Sequence, residues 1–427
     1  MSKLLIKNVE LINHGPQYPK MNIAITDHTI TAISKDPVPG FEQATVLDGT
    51  NKLAVPGMVN AHTHAAMTLL RSYADDMALM DWLNKMIWPA EANLNAQDIY
   101  WGSQLAILEM LKSGTTAFAD MYFIMDETAK AVEETGFRAS LARGLIGNAP
   151  DGETKLAENI ELYKTWHNKG EGRIKVMLGP HAPYTCNPDF LKKVKTAADQ
   201  LGAEIHMHLS ETEQEVKDCV TAYGKTPIDF ANSLGLLDNG MLAAHCVHVT
   251  ESEMNLMVTK KVRVVHNPQS NLKLASGFAP VPEMLKKNIC VALGTDGASS
   301  NNNLDMLEEC RMAAMIHKGF TGNPLAVPAK TALNMATENG AKAIGFEHLG
   351  RLEPGYLADI VLYDMEKPYW YPRHDRLSLF VYASNSADTD TVIINGKVLL
   401  KKGQPLYMDT EKIYAECEQR GKRLIGK

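Results

Sequence analysis

Residues 56–76 read PGMVNAHTHAAMTLLRSYADD. Small and apolar residues (Met58, Val59, Ala61) lead into the triplet His62-Thr63-His64, and a helical-looking run from Met67 to Tyr73 follows. On an extended strand alternate side chains share a face, so histidines two apart set two imidazoles side by side as a chelate for a metal ion. The apolar lead-in argues against an exposed polar loop. It puts the pair at the end of a strand, where β/α enzymes carry their chemistry. The rest of the chain must then supply the missing ligands.

Working outward, the stretch from Pro56 to about Pro354 alternates short apolar strands with helical segments, the pattern of a parallel α/β unit. Candidate strands fall at 58–64, 115–120, 138–143, 174–179, 204–209, 241–245, 263–266 and 289–296. Eight strands in a segment of this length predict a (β/α)8 barrel of the TIM type rather than a doubly wound sheet. Helices are predicted at 98–112, 125–135 and 188–201 from apolar positions at helical spacing, with one over 328–344 closing the barrel. Both ends of the chain read differently. LLIKNVELI, MNIAITDHTITAIS and ATVLDGTNKLAV at the start, and YLADIVLYD and TVIINGKVLL near the finish, are short strands broken by turns. The expected organisation is a small discontinuous β-sandwich from residues 1–56 and 355–427 around a barrel of residues 57–354.

Composition narrows the class of function. Of 427 residues, 43 are Lys or Arg and 50 are Asp or Glu, a formal charge of −7, which leaves no basic excess for binding nucleic acid. The first residues lack the apolar core of a signal peptide, and no apolar run approaches the length of a membrane span, so neither secretion nor a membrane partner is expected. Cys186, Cys219, Cys246, Cys290, Cys310 and Cys417 are scattered with no CxxC spacing, as reduced thiols of a cytoplasmic protein would be.

The predicted strand ends are chemically loaded. His62 and His64 end the first, His181 follows the fourth, His208 ends the fifth, His245 the sixth and Asp296 the eighth. In a barrel these ends converge on one mouth. Two histidines from one strand, one from another and a carboxylate form a mixed N/O set suited to one divalent ion, zinc above all, with a position open to water. Glu211, three residues past His208 in HMHLSE, can act as a proton shuttle without ligating the ion, although SETEQE also reads as a helix start. Asp296 is placed to touch both metal and water, and His245 to hold the attacking oxygen or the developing tetrahedral centre. His206 and His266 read as structural.

PGMVNAHTH, HMHLSE, the histidine of strand six and LGTDGASS together resemble the amidohydrolase superfamily, over a span from about Asn8 to the C-terminal β segments. That resemblance implies the same barrel with a β-sandwich built from both chain ends, and a tendency to form homo-oligomers. Binuclear relatives carry a carboxylated lysine at the end of strand four. Here Gly179-Pro180-His181 stands there, and Lys175 lies near the strand's other end, so the resemblance implies a mononuclear site. The long first loop, LLRSYADDMALMDWLNKMIWPAE, is similar to that of the methylthioadenosine/S-adenosylhomocysteine deaminases. This second resemblance implies a nucleoside substrate, with Glu91 accepting hydrogen bonds from ribose hydroxyls, Arg143 and His181 as further contacts, and Trp82 walling the pocket of the 5′ substituent. In DGETKLAEN, Lys155 stands where that family has a second arginine, which removes a planar fork.

The expected reaction is hydrolytic deamination at C6 of a 5′-substituted adenosine. Glu211 would protonate the ring nitrogen, Asp296 would accept the proton of water, and His245 would steady the attacking oxygen. Two rivals stand beside it. One is another aminohydrolase or chlorohydrolase of the superfamily, acting on guanine, cytosine or a triazine. The other is a non-catalytic assembly protein on a degenerate barrel, which the full ligand set argues against.

Overall fold

A computed structural model describes residues 1–13 and 17–426. Eight parallel strands follow one another in chain order around a barrel: Met58–Thr63, Thr115–Tyr122, Arg138–Leu145, Ile174–Pro180, Ile205–Leu209, Met241–His245, Arg263–His266 and Cys290–Leu293. Side chains alternate on each strand, and the inward set is small. Ala61, Ala117, Ala119, Ala142 and Ala292 join Val59, Met121 and Val265 in one buried cluster, so the lumen is a filled core and only the rim is left for chemistry. The outward set meets the helices, among them Ala96–Ser113, Met125–Thr135 and Pro188–Leu201, in the largest apolar cluster of the molecule.

The first and eighth strands close the ring without a regular ladder. Asp296 N–H donates to the His62 carbonyl at 3.0 Å, and Asn60 exchanges side-chain hydrogen bonds with the Thr295 backbone N–H and hydroxyl. Gly294 makes this approach possible, because a Cβ there would stand 2.8 Å from the His62 backbone. The predicted first and eighth strands therefore stop early, at Thr63 and Leu293. His64 and Asp296 lie just beyond them on the rim, where the backbone leaves the ladder to form the seam.

Strands from the two chain ends meet in a second, nine-stranded sheet. Lys52–Pro56 pairs antiparallel with Ile360–Asp364, joining residues three hundred apart in sequence. Hydrogen bonding runs through all nine strands, so the terminal unit is one continuous sheet. It has a core of its own around Ile6, Ile23, Ile25, Ile30 and Ile360. Its other face, with Leu53, Val55, Val361 and Tyr363, belongs to the barrel's cluster. At the junction Arg138, the first residue of the third barrel strand, makes a buried two-point ion pair with Asp359 at 2.9 and 3.0 Å.

Of the predicted helices, 125–135 and 188–201 appear with those bounds, and 98–112 sits inside Ala96–Ser113. The predicted helix over 328–344 is instead two, Ala329–Ala336 and Glu338–Ala343. Thr337 breaks it at φ −127°, ψ −93°, with its hydroxyl donating to the Leu333 carbonyl at 2.7 Å, a local bond that competes with helix continuation. Among the described residues no helix is long and apolar enough to cross a membrane.

Candidate active site and metal centre

At the C-terminal rim the predicted ligands come together in two overlapping sets. Nitrogen atoms of His62, His208 and His245 lie within 4.8 Å of one another, as do ligand atoms of His62, His64 and Asp296. The Asp296 Oδ1 stands 3.5 Å from His62 Nε2 and 3.2 Å from His64 Nε2. Each imidazole is oriented by its other nitrogen. His64 Nδ1–H donates to the Met121 carbonyl at 2.6 Å and His208 Nδ1–H to the His181 carbonyl at 2.8 Å, which turns both Nε2 atoms toward the site. His62 Nδ1 meets His206 Nε2 at 2.9 Å, while its buried Nε2 has no hydrogen-bond partner. Asp296 is fixed by the hydroxyls of Ser270 and Ser300, at 2.6 and 2.9 Å, and by the Gly297 N–H at 2.8 Å.

The electrostatics favour a cation at this point. Burial lowers His62 to about 4 and His181 to about 3, and holds His208 well below the ordinary histidine range, so these rings are neutral, as metal ligands must be. Burial acts the same way on His64, but the Asp296 carboxylate outweighs it and raises that ring to about 9. The carboxylate thus draws positive charge onto its neighbour, the charge a divalent ion would bring. An orphaned buried nitrogen, convergent N/O donors and this demand for positive charge all fit a metal ion held by His62, His64, His208 and Asp296. Lys175 does not join them. Its Nζ lies 5.9 Å from the Phe346 ring, in the cluster at the other end of the lumen.

Beside the ligands, His245 Nδ1 meets Asn271 Oδ1 at 2.8 Å and directs its Nε2 to within 3.8 Å of Glu211 Oε2. Burial pushes the Glu211 carboxyl up, favouring a proton-holding form, and Ser276 donates to it at 3.3 Å. The reading of SETEQE as a helix start also holds: Thr212 caps Glu213–Tyr223 through its hydroxyl. Ser210, His245, Cys246 and Asp296 all have positive φ, the local strain common where strand ends re-aim functional groups.

A cavity lined by both polar and apolar side chains opens over these groups. Glu91 lines it, partly buried and accepting a 2.6 Å bond from the Tyr122 hydroxyl; desolvation raises its carboxyl to about 7 although that bond pulls the other way. His181 and Trp82 also line it, the indole N–H of Trp82 donating to the Ala74 carbonyl at 3.1 Å. Arg143 stands behind the wall, bonded to Glu158 at 2.9 Å and to the Gly144 carbonyl at 2.8 Å. Lys155 is paired with Asp151 at 2.8 Å.

Several working residues escaped the sequence reading. His206, read as structural, buttresses His62; the signal was there in His206-Met207-His208, a second alternating pair like the first. His266 is also buried, but its partner is His317 at 3.1 Å, away from the ligand set. Asn271, Ser270, Ser300, Ser276 and Tyr122 had no distinguishing spacing. Glu215 did, though it reads first as a helix-start acid: its carboxylate accepts the backbone N–H groups of Ser210 and Glu211 at 3.0 and 2.7 Å.

Comparison with known proteins agrees with this geometry. Residues 53–399 match the model of the amidohydrolase family. The chain is 49% identical to a 5-methylthioadenosine/S-adenosylhomocysteine deaminase of Pelotomaculum thermopropionicum, over 100% of both chains. It is 52% identical to one of Moorella thermoacetica, over 98% of this chain and 99% of that one. Among solved structures, an adenosine deaminase from Xanthomonas campestris with bound zinc superposes with a TM-score of 0.94 at 35% identity, over 100% of this chain and 99% of that one.

Proposed function

The chain belongs to the amidohydrolase family, and on that footing we propose that it hydrolytically deaminates 5′-substituted adenosines, 5′-methylthioadenosine and S-adenosylhomocysteine, to the inosine product and ammonia. The observation that carries this reading is Glu91, a partly buried carboxylate lining the same cavity as Glu211, His245 and Asp296. A ribose cis-diol offers two donors to its two acceptor oxygens. Full-length relatives at about half identity carry the same activity in their names.

In this reading His62, His64, His208 and Asp296 hold one divalent ion, which we take to be zinc as in the related adenosine deaminase. When bound, such an ion supplies Lewis-acid activation of the attacking water. The chain's own groups do the rest. Asp296 takes a proton from that water as its oxygen bonds to C6, and Glu211 gives a proton to the ring nitrogen, so that charge does not build on the purine. His245, whose Nε2 faces Glu211, steadies the oxygen in the tetrahedral centre. The proton held by Asp296 passes to the departing amine and the C6 hydroxyl returns one to Glu211 as the carbonyl forms, so C6–N breaks and ammonia leaves. Trp82 and its apolar neighbours exclude bulk water from the cavity. The scattered cysteines, free and mostly buried, suit a reducing cytoplasm.

The test is direct. The metal-loaded protein should convert methylthioadenosine with the absorbance change of adenine to hypoxanthine. Absence of turnover, beside efficient turnover of guanine or a triazine, overturns the substrate assignment and leaves the fold untouched.

A further inference from the structure

Behind the rim lies a carboxyl that no step of the reaction uses. Glu309, in the first turn of the helix Met306–Thr321, is wholly buried and stands outside the cavity lining. Burial pushes its carboxyl well above the usual carboxylate range, and its partners are two N–H donors rather than a cation. An acid that served only its own helix would keep its water, because the positive end of the helix dipole favours it at the surface without the cost of desolvation.

The two donors belong to the segments that follow the last two barrel strands. Glu309 Oε2 accepts the backbone N–H of Gln269 at 3.3 Å, and Oε1 accepts the side-chain N–H of Asn301 at 2.8 Å. Gln269 leads into Ser270, whose hydroxyl donates to Asp296 Oδ2 at 2.6 Å. Asn301 donates also to the Thr295 carbonyl at 2.9 Å, on the peptide that enters Asp296. Both routes from Glu309 therefore end on Asp296, one at its carboxylate and one at its backbone. That backbone has φ +62°, a left-handed conformation that a non-glycine residue keeps only where its surroundings enforce it.

We propose that Glu309 is a positioning residue for Asp296: it locks the segments after the seventh and eighth strands together and so sets the carboxylate for the metal ion and for proton transfer. For the metal this rests on the ligand set, and for the proton on the deaminase reading above.

Glu309→Gln keeps the shape and one acceptor, and Asn301→Ala cuts the backbone route. Each should weaken zinc binding, read as a dissociation constant by competition with a chromophoric chelator, by about tenfold or more. Each should lower kcat for methylthioadenosine by a similar factor and leave KM within about twofold, because neither side chain lines the cavity. The double variant should lose less than the product of the two single losses, since both changes break one chain of contacts. Wild-type zinc affinity and kcat in Glu309→Gln, a rise in KM as large as the fall in kcat, or losses that multiply in full overturn the proposal. If Glu309→Gln does not fold, Asn301→Ala alone decides, and unchanged zinc affinity there overturns it. A wild-type holoenzyme that leaves methylthioadenosine untouched overturns the deaminase reading instead, while the zinc constants still decide the role of Glu309.

Discussion

At the scale of single residues, the site works through what stands behind each reacting group. Asn271 Oδ1 can only accept, so it fixes the proton of His245 on Nδ1 and keeps Nε2 open toward Glu211. Asn271→Leu should lower kcat by about 10- to 100-fold, the usual cost of removing such a partner, with KM little changed. Asn271→Asp, which still accepts, should recover much of the loss; equal damage from both changes would mean that Asn271 serves packing alone. Glu91 is read out differently, because it meets the substrate away from the reacting carbon. Glu91→Gln should raise KM for methylthioadenosine about tenfold or more, since hydrogen bonds to a charged group are worth ~1.5–3 kcal/mol, and should alter kcat far less. A kcat collapse at unchanged KM would place Glu91 in the chemistry and remove the ribose argument.

At the scale of elements, the turn between the fifth strand, Ile205–Leu209, and the helix Glu213–Tyr223 decides where Glu211 points. Ser210 has φ +54°, and the Glu215 carboxylate accepts the N–H groups of both Ser210 and Glu211, so the helix's first turn clamps the turn before it. Glu215→Ala leaves two buried donors unmatched, at about 1–3 kcal/mol each. It should lower both Tm and kcat, while Glu215→Gln, keeping one acceptor, should lie between; full activity in Glu215→Ala would show that Glu211 holds itself. This clamp also marks what the sequence could and could not disclose. Strands and helices were legible because burial imposes periods of 2 and 3.6, and His62, His64, His208, Asp296 and Glu211 because chelation and strand ends impose spacing. Glu215 bonds only to backbone, and Asn271 meets His245 across 26 residues, so neither leaves a periodic trace. Thr337 was missed for a related reason: its helix-breaking bond is a side-chain choice within an otherwise helical pattern. Arg143 could be placed at a strand end, but its ion pair with Glu158 depends on a helix orientation that spacing alone does not fix.

Over the whole molecule, two buried polar pairs tie the barrel to its surroundings. Arg138 and Asp359 join its base to the terminal sheet, and both are almost wholly buried. Arg138→Met should destabilise the protein by about 3–5 kcal/mol, because it strands a buried carboxylate, and Arg138→Met with Asp359→Leu should recover part of that. A double variant as unstable as the sum of its parts would point to lost packing instead. The second pair, His266 and His317, lies between the seventh strand, Arg263–His266, and the helix Met306–Thr321, with Nε2 atoms 3.1 Å apart. Two rings that close cannot both carry charge. Burial lowers His317 from 6.5 to about 4 and holds His266 well below its usual range. The folded pKa of His317 lies below the unfolded one, so protons bind the unfolded chain more tightly. Its contribution to stability is therefore fully present above pH 6.5 and is lost as pH falls from there through 4. A shift of that size is worth at most about 3 kcal/mol, and about 2 kcal/mol of it should already be lost at pH 5. His317→Gln removes the titration while keeping a hydrogen-bonding side chain. Calorimetric Tm values at pH 7 and pH 5 should therefore fall further apart in the wild type than in His317→Gln. Parallel falls in the two proteins would assign the acid sensitivity of this fold to groups elsewhere.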